Sequence, residues 1–355
     1  MEKAYLILAD GSVFEGRAVG KKGVSVGEAV FNTGVVGYMD TLTDQRYYGQ
    51  MVLQTFPQIG NYGELSQETL GRKPVLSGYI IKEVCESPSN WRMEGRLQSY
   101  LEENEIVGIC DIDTRKLTHI LREKGSMNVM IAPNKNKLEE KLKEIKAYKI
   151  SDAVKNTSIS EAVVSMPENA QATAVLWDFG HCEEIQQLLL DADFVVDRVP
   201  YNTKYEDIVS YAPDVVILSD GAGQPKSLNK ELDAILETVK KLTAKKTPMV
   251  GLGFGHLLLA ASKGAKIVKM KNAHRGQNQP VKDLATGKVV ISIQNHGDTV
   301  DCRSLIGLPC TLSEINVNDK DCEGIDYKDA PAFSIAYNPT KATIIKIQKL
   351  IKGDK

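Results

Sequence analysis

Apolar positions change their rhythm partway along the chain. Through residue 150 they come in short strand-like runs broken by turn residues. Ala4–Leu8 reads as a strand, Asp10-Gly11 as a tight hairpin turn and Ser12–Glu15 as the returning strand. Glu28–Asn32 is a further strand, and Val75–Val84 alternates over a length that predicts a long one. Helices are expected over Arg92–Asn104, Asp113–Lys124 and Lys137–Tyr148. Asp113 and Thr114 give the second of these a start signal and Gly125 a stop; Leu138, Leu142 and Ile145 share one face of the third, whose charges form a solvated face. Residues 151–170 lose periodicity and gain Ser, Thr, Asn and Pro, the composition of an inter-domain connection.

From Thr173 the pattern alternates strand and helix. Strands are expected at Ala174–Asp178, Phe194–Val199, Asp214–Leu218 and Met249–Leu252. Helices are expected at Cys182–Asp191, Lys204–Tyr211, Ser227–Thr243 and Gly255–Lys263. Such alternation predicts a parallel sheet covered by helices on both faces, with ligands at the carboxyl ends of the strands. Two Gly-rich turns fall there: Asp220-Gly221-Ala222-Gly223-Gln224-Pro225, and Gly251-Leu252-Gly253-Phe254-Gly255. The second is a strand-to-helix elbow, the device by which an α/β fold projects a nucleophile. Its apex, Gly253, has no side chain.

Composition narrows the function classes. At 355 residues the chain is long enough for two domains, and its net charge of −2 offers no field to gather nucleic acid or an anionic membrane. No run of 18 apolar residues and no leader pattern is visible, so a cytoplasmic protein is the expectation. The six cysteines form no C-x-x-C pair and no zinc-type spacing, so reduced, mostly buried thiols are expected and no metal.

The chain resembles the small, amidotransferase chain of carbamoyl phosphate synthetase. In the first half the likeness is carried by Phe31-Asn32-Thr33-Gly34-Val35-Val36-Gly37-Tyr38, Gly60-Asn61-Tyr62-Gly63 and Gly108-Ile109-Cys110-Asp111-Ile112-Asp113-Thr114-Arg115. In the second half it is carried by His274-Arg275-Gly276-Gln277-Asn278-Gln279-Pro280-Val281, Gln294-Asn295-His296-Gly297 and Asn316-Val317-Asn318-Asp319. The resemblance implies an α/β protein: a mixed α/β domain over 1–150, a linker over 151–170, and a flavodoxin-like class I glutamine amidotransferase domain over 171–355. It also implies a cytoplasmic enzyme of pyrimidine and arginine biosynthesis. A Cys-His-Glu triad would hydrolyse glutamine, and a large-chain partner would turn the ammonia into carbamoyl phosphate. ATP and metal would belong to that partner, leaving this chain without a cofactor.

At the positions that should do the chemistry, the chain departs from that pattern. The nucleophile falls on Gly253; the base and its orienting acid fall on Asn338 and Thr340. Asn takes up no proton near neutral pH. The oxyanion turn keeps Gly221 and Gly223, and Phe254 follows the elbow. The glutamine pocket maps to Tyr48, Leu257, Asn295, Gly297 and Asp298, of which Tyr48, Leu257 and Asp298 differ from the family in size, polarity or charge. Loss of a triad nucleophile alone costs about 10⁶ in kcat. The expectation is therefore a pseudoenzyme that binds a large chain of an ammonia-dependent synthetase. A repurposed ligand-binding module and a glutaminase with relocated groups are the alternatives. Cys110 and His256 are expected to be structural, His274 and His296 to shape the pocket rim, and His119 and His181 to lie at the surface or partly buried.

Overall fold

The computed structural model describes residues 2–228 and 230–353 and divides into two units, Met1–Ser151 and Asp152–Lys355. In the first, seven strands close a barrel: β1 (Lys3–Leu8), β2 (Val13–Gly20), β3 (Ser25–Asn32), β4 (Gln50–Gln54), β5 (Gly78–Ile80), β6 (Val107–Cys110) and β7 (Met127–Ala132). Their order around the barrel is β1-β2-β6-β5-β4-β3-β7, with β7 pairing back onto β1. Closure removes the sheet edges that an open antiparallel sheet leaves unpaired. Leu6, Leu8, Leu53, Ile80 and Ile109 are among the buried side chains of one core cluster.

Two helices follow their sequence signals closely. α1 (Thr114–Lys124) starts where the Asp113 carboxylate accepts the Lys116 N–H, and stops at Gly125 with φ of 83°. α2 (Leu138–Ala147) packs Ile145 against β1 and β7, with Leu138 and Leu142 beside it. Two expectations are corrected. The long strand over Val75–Val84 is only the three-residue β5 plus the pair Glu83–Val84. β5 lies between parallel neighbours β4 and β6, so Tyr79 and Ile80 are both buried and the alternation of its flanks does not continue through it. The helix expected from Arg92 begins only at Leu97, because Gly95 bridges to Glu64 instead.

The second unit is built on a ten-stranded sheet. Its strands are β8 (Val163–Ser165), β9 (Ala172–His181), β10 (Phe194–Pro200), β11 (Val215–Gly221), β12 (Met249–Leu252), β13 (Ile267–Asp283), β14 (Val289–Val300), β15 (Cys310–Asn316), β16 (Cys322–Tyr327) and β17 (Ala332–Ile335). The order is β8-β10-β9-β11-β12-β17-β16-β15-β13-β14. β10, β9, β11, β12 and β17 run parallel, as the alternation predicts. The others are antiparallel additions at both edges. The stretch expected as a linker belongs to this unit. It holds α3 (Ala153–Thr157) and β8, which pairs with β10; Ser158 caps it onto the sheet by donating to the Asp178 carbonyl at 2.8 Å. The helix expected over Ser227–Thr243 is a 3-10 turn at Pro225–Leu228 and a helix at Lys230–Ala244, with Asn229 outside the described residues. Among the described residues no helix is long and apolar enough to cross a membrane.

Two features of this unit set its local geometry. α4 (Phe254–Ser262) starts directly after β12 and presses onto β11. A Cβ built on Gly255 would sit 2.2 Å from the Leu218 carbonyl oxygen, and one on Gly251 would sit 2.7 Å from the Gly255 carbonyl oxygen. These glycines are there for close approach. Further along, His274 on β13 bonds Asp319 through Nε2 at 2.7 Å and Glu323 through Nδ1 at 3.1 Å. Burial disfavours its proton, but the hydrogen bonds to Glu323 and Asp319 outweigh it and push His274 up to about 9. Burial also opposes charge on Glu323, yet its bonds from His274 and Asn316 hold it below the usual carboxylate range.

Gly255→Ala is expected to lose about 1–3 kcal/mol by overpacking, although the same change in an open helix gains up to about 1 kcal/mol. Denaturant midpoints decide it, and an unchanged or raised midpoint contradicts the packing argument. The His274 network makes a pH prediction. A folded value of about 9 against an ordinary 6.5 means this stability is complete below pH 6.5 and lost as pH rises through 9. The advantage of the native chain over His274→Gln should therefore shrink by up to about 3 kcal/mol across that window. His256 and His296, which burial lowers to about 3 and about 4, titrate below it. A flat difference contradicts the assignment.

Candidate functional site: a strand-to-helix elbow filled from within

β12 ends at Leu252, and Gly253 turns the chain with φ 47° and ψ −105°. An L side chain is strained in that conformation, while glycine enters it freely. The turn is held by Gly253 N–H donating to the Ile335 carbonyl at 2.9 Å and by Leu257 N–H donating to the Gly253 carbonyl at 3.2 Å. The elbow geometry that a nucleophile would need is thus kept, with no atom to project.

The space above it is taken. A Cβ built on Gly253 would lie 2.1 Å from Cγ and Oδ1 of Asp220. Oδ1 accepts the backbone N–H of Phe254 at 2.8 Å and that of Gly221 at 2.8 Å. Of the turn residues expected to face an oxyanion, Gly221 and Phe254 therefore do converge, on this chain's own carboxylate. Gly223 does not join them; with φ 82° it turns toward Ala153 and Ser227, each 3.3 Å from where its Cβ would be. Asp220 escapes a reading of the sequence because it stands within the Gly-rich turn. Only the fold, which sets the end of β11 beside the apex after β12, brings its carboxylate to the elbow.

Beside the elbow lies a cavity of about 10 Å³, lined by Asp220, Leu252, His181, Glu184 and Asn338 among others. That volume accommodates about one water molecule. Asn338, at the position expected for a base, donates its amide to Glu184 Oε2 at 2.7 Å. Its backbone N–H bonds the Ile293 carbonyl at 3.0 Å. Thr340, at the position of the orienting acid, is exposed and forms the N-cap of α5 (Lys341–Lys352), its N–H donating to Thr343 Oγ1 at 3.0 Å. His181, expected at the surface or partly buried, is buried and lines the cavity, because β9 runs past Asp178 as far as His181.

The expected pocket residues are dispersed in role. Leu257 is buried in the main apolar cluster with Phe254 and Phe179. Asn295 is buried and accepts a hydrogen bond from Arg275, above which Gly297 leaves room. Asp298 sits on β14 opposite Lys269 on β13. Tyr48 lies in the first unit, half-buried, where it ends the 3-10 turn Gln45–Tyr47.

Burial holds several further titratable groups of the two units in their neutral forms. His256 is fully buried on α4, bonded through Nδ1 to Ser334 Oγ at 2.8 Å, and burial lowers it to about 3, so it takes up no proton near neutrality. Cys182, next to His181, has its Sγ 3.1 Å from Asp178 Oδ1, and burial pushes the thiol far above its ordinary range. Burial likewise pushes Cys110 up to about 11. His274, His296 and Glu323 offer ligand atoms within 4.8 Å of one another, the spacing of a metal site. His274 bonds Glu323 and Asp319, while a neutral His296 has one N–H to donate, to the Asp298 carbonyl at 2.9 Å or to Gln294 Oε1 at 3.1 Å. His274, Glu323 and Asp319 form an ion-paired network beside His296.

Comparison with known proteins fits this architecture. Residues 6–131 match the family model for the carbamoyl-phosphate synthase small chain, CPSase domain, and residues 175–341 match glutamine amidotransferase class-I. A carbamoyl phosphate synthase small chain from Listeria monocytogenes serotype 4b is 39% identical over 96% of this chain and 92% of its own length. One from Clostridium perfringens is 39% identical over 95% of this chain and 94% of its own length. A solved glutamine amidotransferase from Thermotoga maritima is similar over 51% of this chain and 83% of its own, with 17% identity and a TM-score of 0.39. On the two family matches and the full-length relatives, the chain belongs to the carbamoyl-phosphate synthase small-chain family.

Proposed function

We propose that this chain is the partner-binding subunit of an ammonia-dependent carbamoyl phosphate synthetase and that it no longer hydrolyses glutamine. The observation that carries the reading is the elbow: Gly253 supplies the turn and no nucleophile. Class I amide hydrolysis needs a thiolate at that apex, a His to move its proton and a carboxylate to orient the His. Gly253, Asn338 and Thr340 supply none of the three.

The large-chain partner follows from family membership and would bring ATP, bicarbonate and metal; this chain would supply docking surface and stability. A cytoplasmic place in pyrimidine and arginine biosynthesis goes with that reading. A glutaminase with relocated groups needs a reactive thiol near the elbow. Cys182 is the cysteine nearest the cavity lining in sequence, and its surroundings favour the neutral thiol over the nucleophilic thiolate.

Two outcomes are expected. The purified chain should co-elute with the cognate large chain, while on its own it releases glutamate from glutamine about 10⁶-fold more slowly than a triad enzyme. Glutamate release at an ordinary enzymatic rate contradicts the proposal. In the folded chain at pH 7, iodoacetamide should label the half-exposed Cys85 and Cys302 and leave Cys182 unlabelled until denaturant is added. Mass mapping that finds Cys182 labelled as fast as those two would revive the relocated-thiol alternative.

A further inference from the structure

The carboxylate over the elbow has a role of its own. Two backbone N–H groups, one from the turn after β11 and one from the first residue of α4, converge on a single point. That is the arrangement by which acyl-transfer sites bind a developing oxyanion. Here the point is occupied by Asp220 Oδ1, which stands at 2.8 Å from both nitrogens. A negatively charged acceptor at the N-terminus of a nine-residue helix is favoured twice, by charge-assisted hydrogen bonds and by the helix dipole.

We propose that Asp220 is a resident oxyanion, an internal ligand that fills the hole and holds turn and elbow together, and that it and Gly253 are mutually exclusive with a nucleophile. The exclusion is steric and electrostatic. The carboxylate stands where the Cβ of any residue at 253 would be, at 2.1 Å, a distance no real Cβ contact tolerates. A cysteine placed there would also share its site with a like charge, which disfavours the thiolate. Oδ1 cannot retreat without giving up both N–H groups, and an unpaired buried N–H is unfavourable. The carboxylate is flanked by His181 of β9, its register partner, and by Glu184, which lines the same cavity. Asp220 is therefore a positioning residue and a built-in block at once. Restoring a cysteine at the elbow would not by itself restore the site.

This proposal rests on the reading that the site does no glutamine chemistry, but its test uses no glutamine. The experiment is a double-mutant cycle of Gly253→Cys and Asp220→Ala, read by thermal midpoint and by the iodoacetamide labelling rate of the introduced thiol at one fixed pH. Gly253→Cys alone should lower the midpoint by several degrees, and adding Asp220→Ala should recover part of that loss. The thiol should label at least tenfold faster in the double variant. An additive cycle with equal labelling rates overturns the proposal, because backbone strain at φ 47° alone would then explain the glycine. Should a cysteine variant fail to fold, native-state hydrogen exchange decides. Asp220→Ala should lose protection at the Gly221 and Phe254 amides at least tenfold, while Asp220→Asn, which keeps an acceptor oxygen, should retain it. In the isotope-labelled native chain, scalar couplings from those two nitrogens to the Asp220 carboxyl carbon should be detectable. Their absence, or unchanged protection in Asp220→Ala, overturns the proposal. Glutamate release tests the functional reading, whereas the cycle and the exchange protection at Gly221 and Phe254 test the seat of the Asp220 carboxylate, so the two failures are told apart.

Discussion

The second unit is organised around one oxygen atom. Oδ1 of Asp220 accepts from Gly221 and Phe254, and so ties the end of β11 to the start of α4 across the elbow between them. That contact is possible because Gly253 has no Cβ, and Gly253 is tolerated because φ of 47° suits glycine. Close packing reinforces it from below, where Gly255 lets α4 rest on the Leu218 carbonyl. The elbow keeps its strand-to-helix shape, and the Asp220 carboxylate occupies the point on which its two N–H groups converge.

The substitutions around the elbow form a consistent set. Each has a structural occupation of its own. Asn338 bridges to Glu184, Thr340 caps a helix, and Leu257 joins the apolar core. None is left without a contact. Replacing any of them would lose that contact as well as introduce a new group. The His274–Glu323–Asp319 network ties β13 to β16 and to the turn that precedes it.

Much of this is legible in the sequence because the signals are local. The β12-to-α4 elbow, the parallel strand run and the capped helix at Thr114–Lys124 each announce themselves through apolar period and through Asp or Gly at an end. The barrel of the first unit is not legible as a barrel. Its closure depends on β7 returning to β1 across more than a hundred residues, and its core strand β5 is too short to show a period. The 151–170 stretch reads as a linker because a three-residue strand and a five-residue helix carry almost no periodicity, and only pairing with β10 defines them. Among the site residues, Gly253, Asn338 and Thr340 follow from motif position, whereas Asp220 follows only from three-dimensional adjacency. A residue 33 positions before the elbow gives no sequence hint that its carboxylate will stand over it.

The proposal that no glutamine nitrogen passes through this chain is tested most directly by isotope tracing. The chain is reconstituted with its large partner and supplied with unlabelled ammonium together with glutamine labelled with ¹⁵N at the side-chain amide. The isotope content of the carbamoyl phosphate is then read by mass spectrometry. A filled, nucleophile-free elbow predicts product nitrogen drawn from the ammonium alone; ¹⁵N appearing in the product at a rate comparable to synthesis would contradict it.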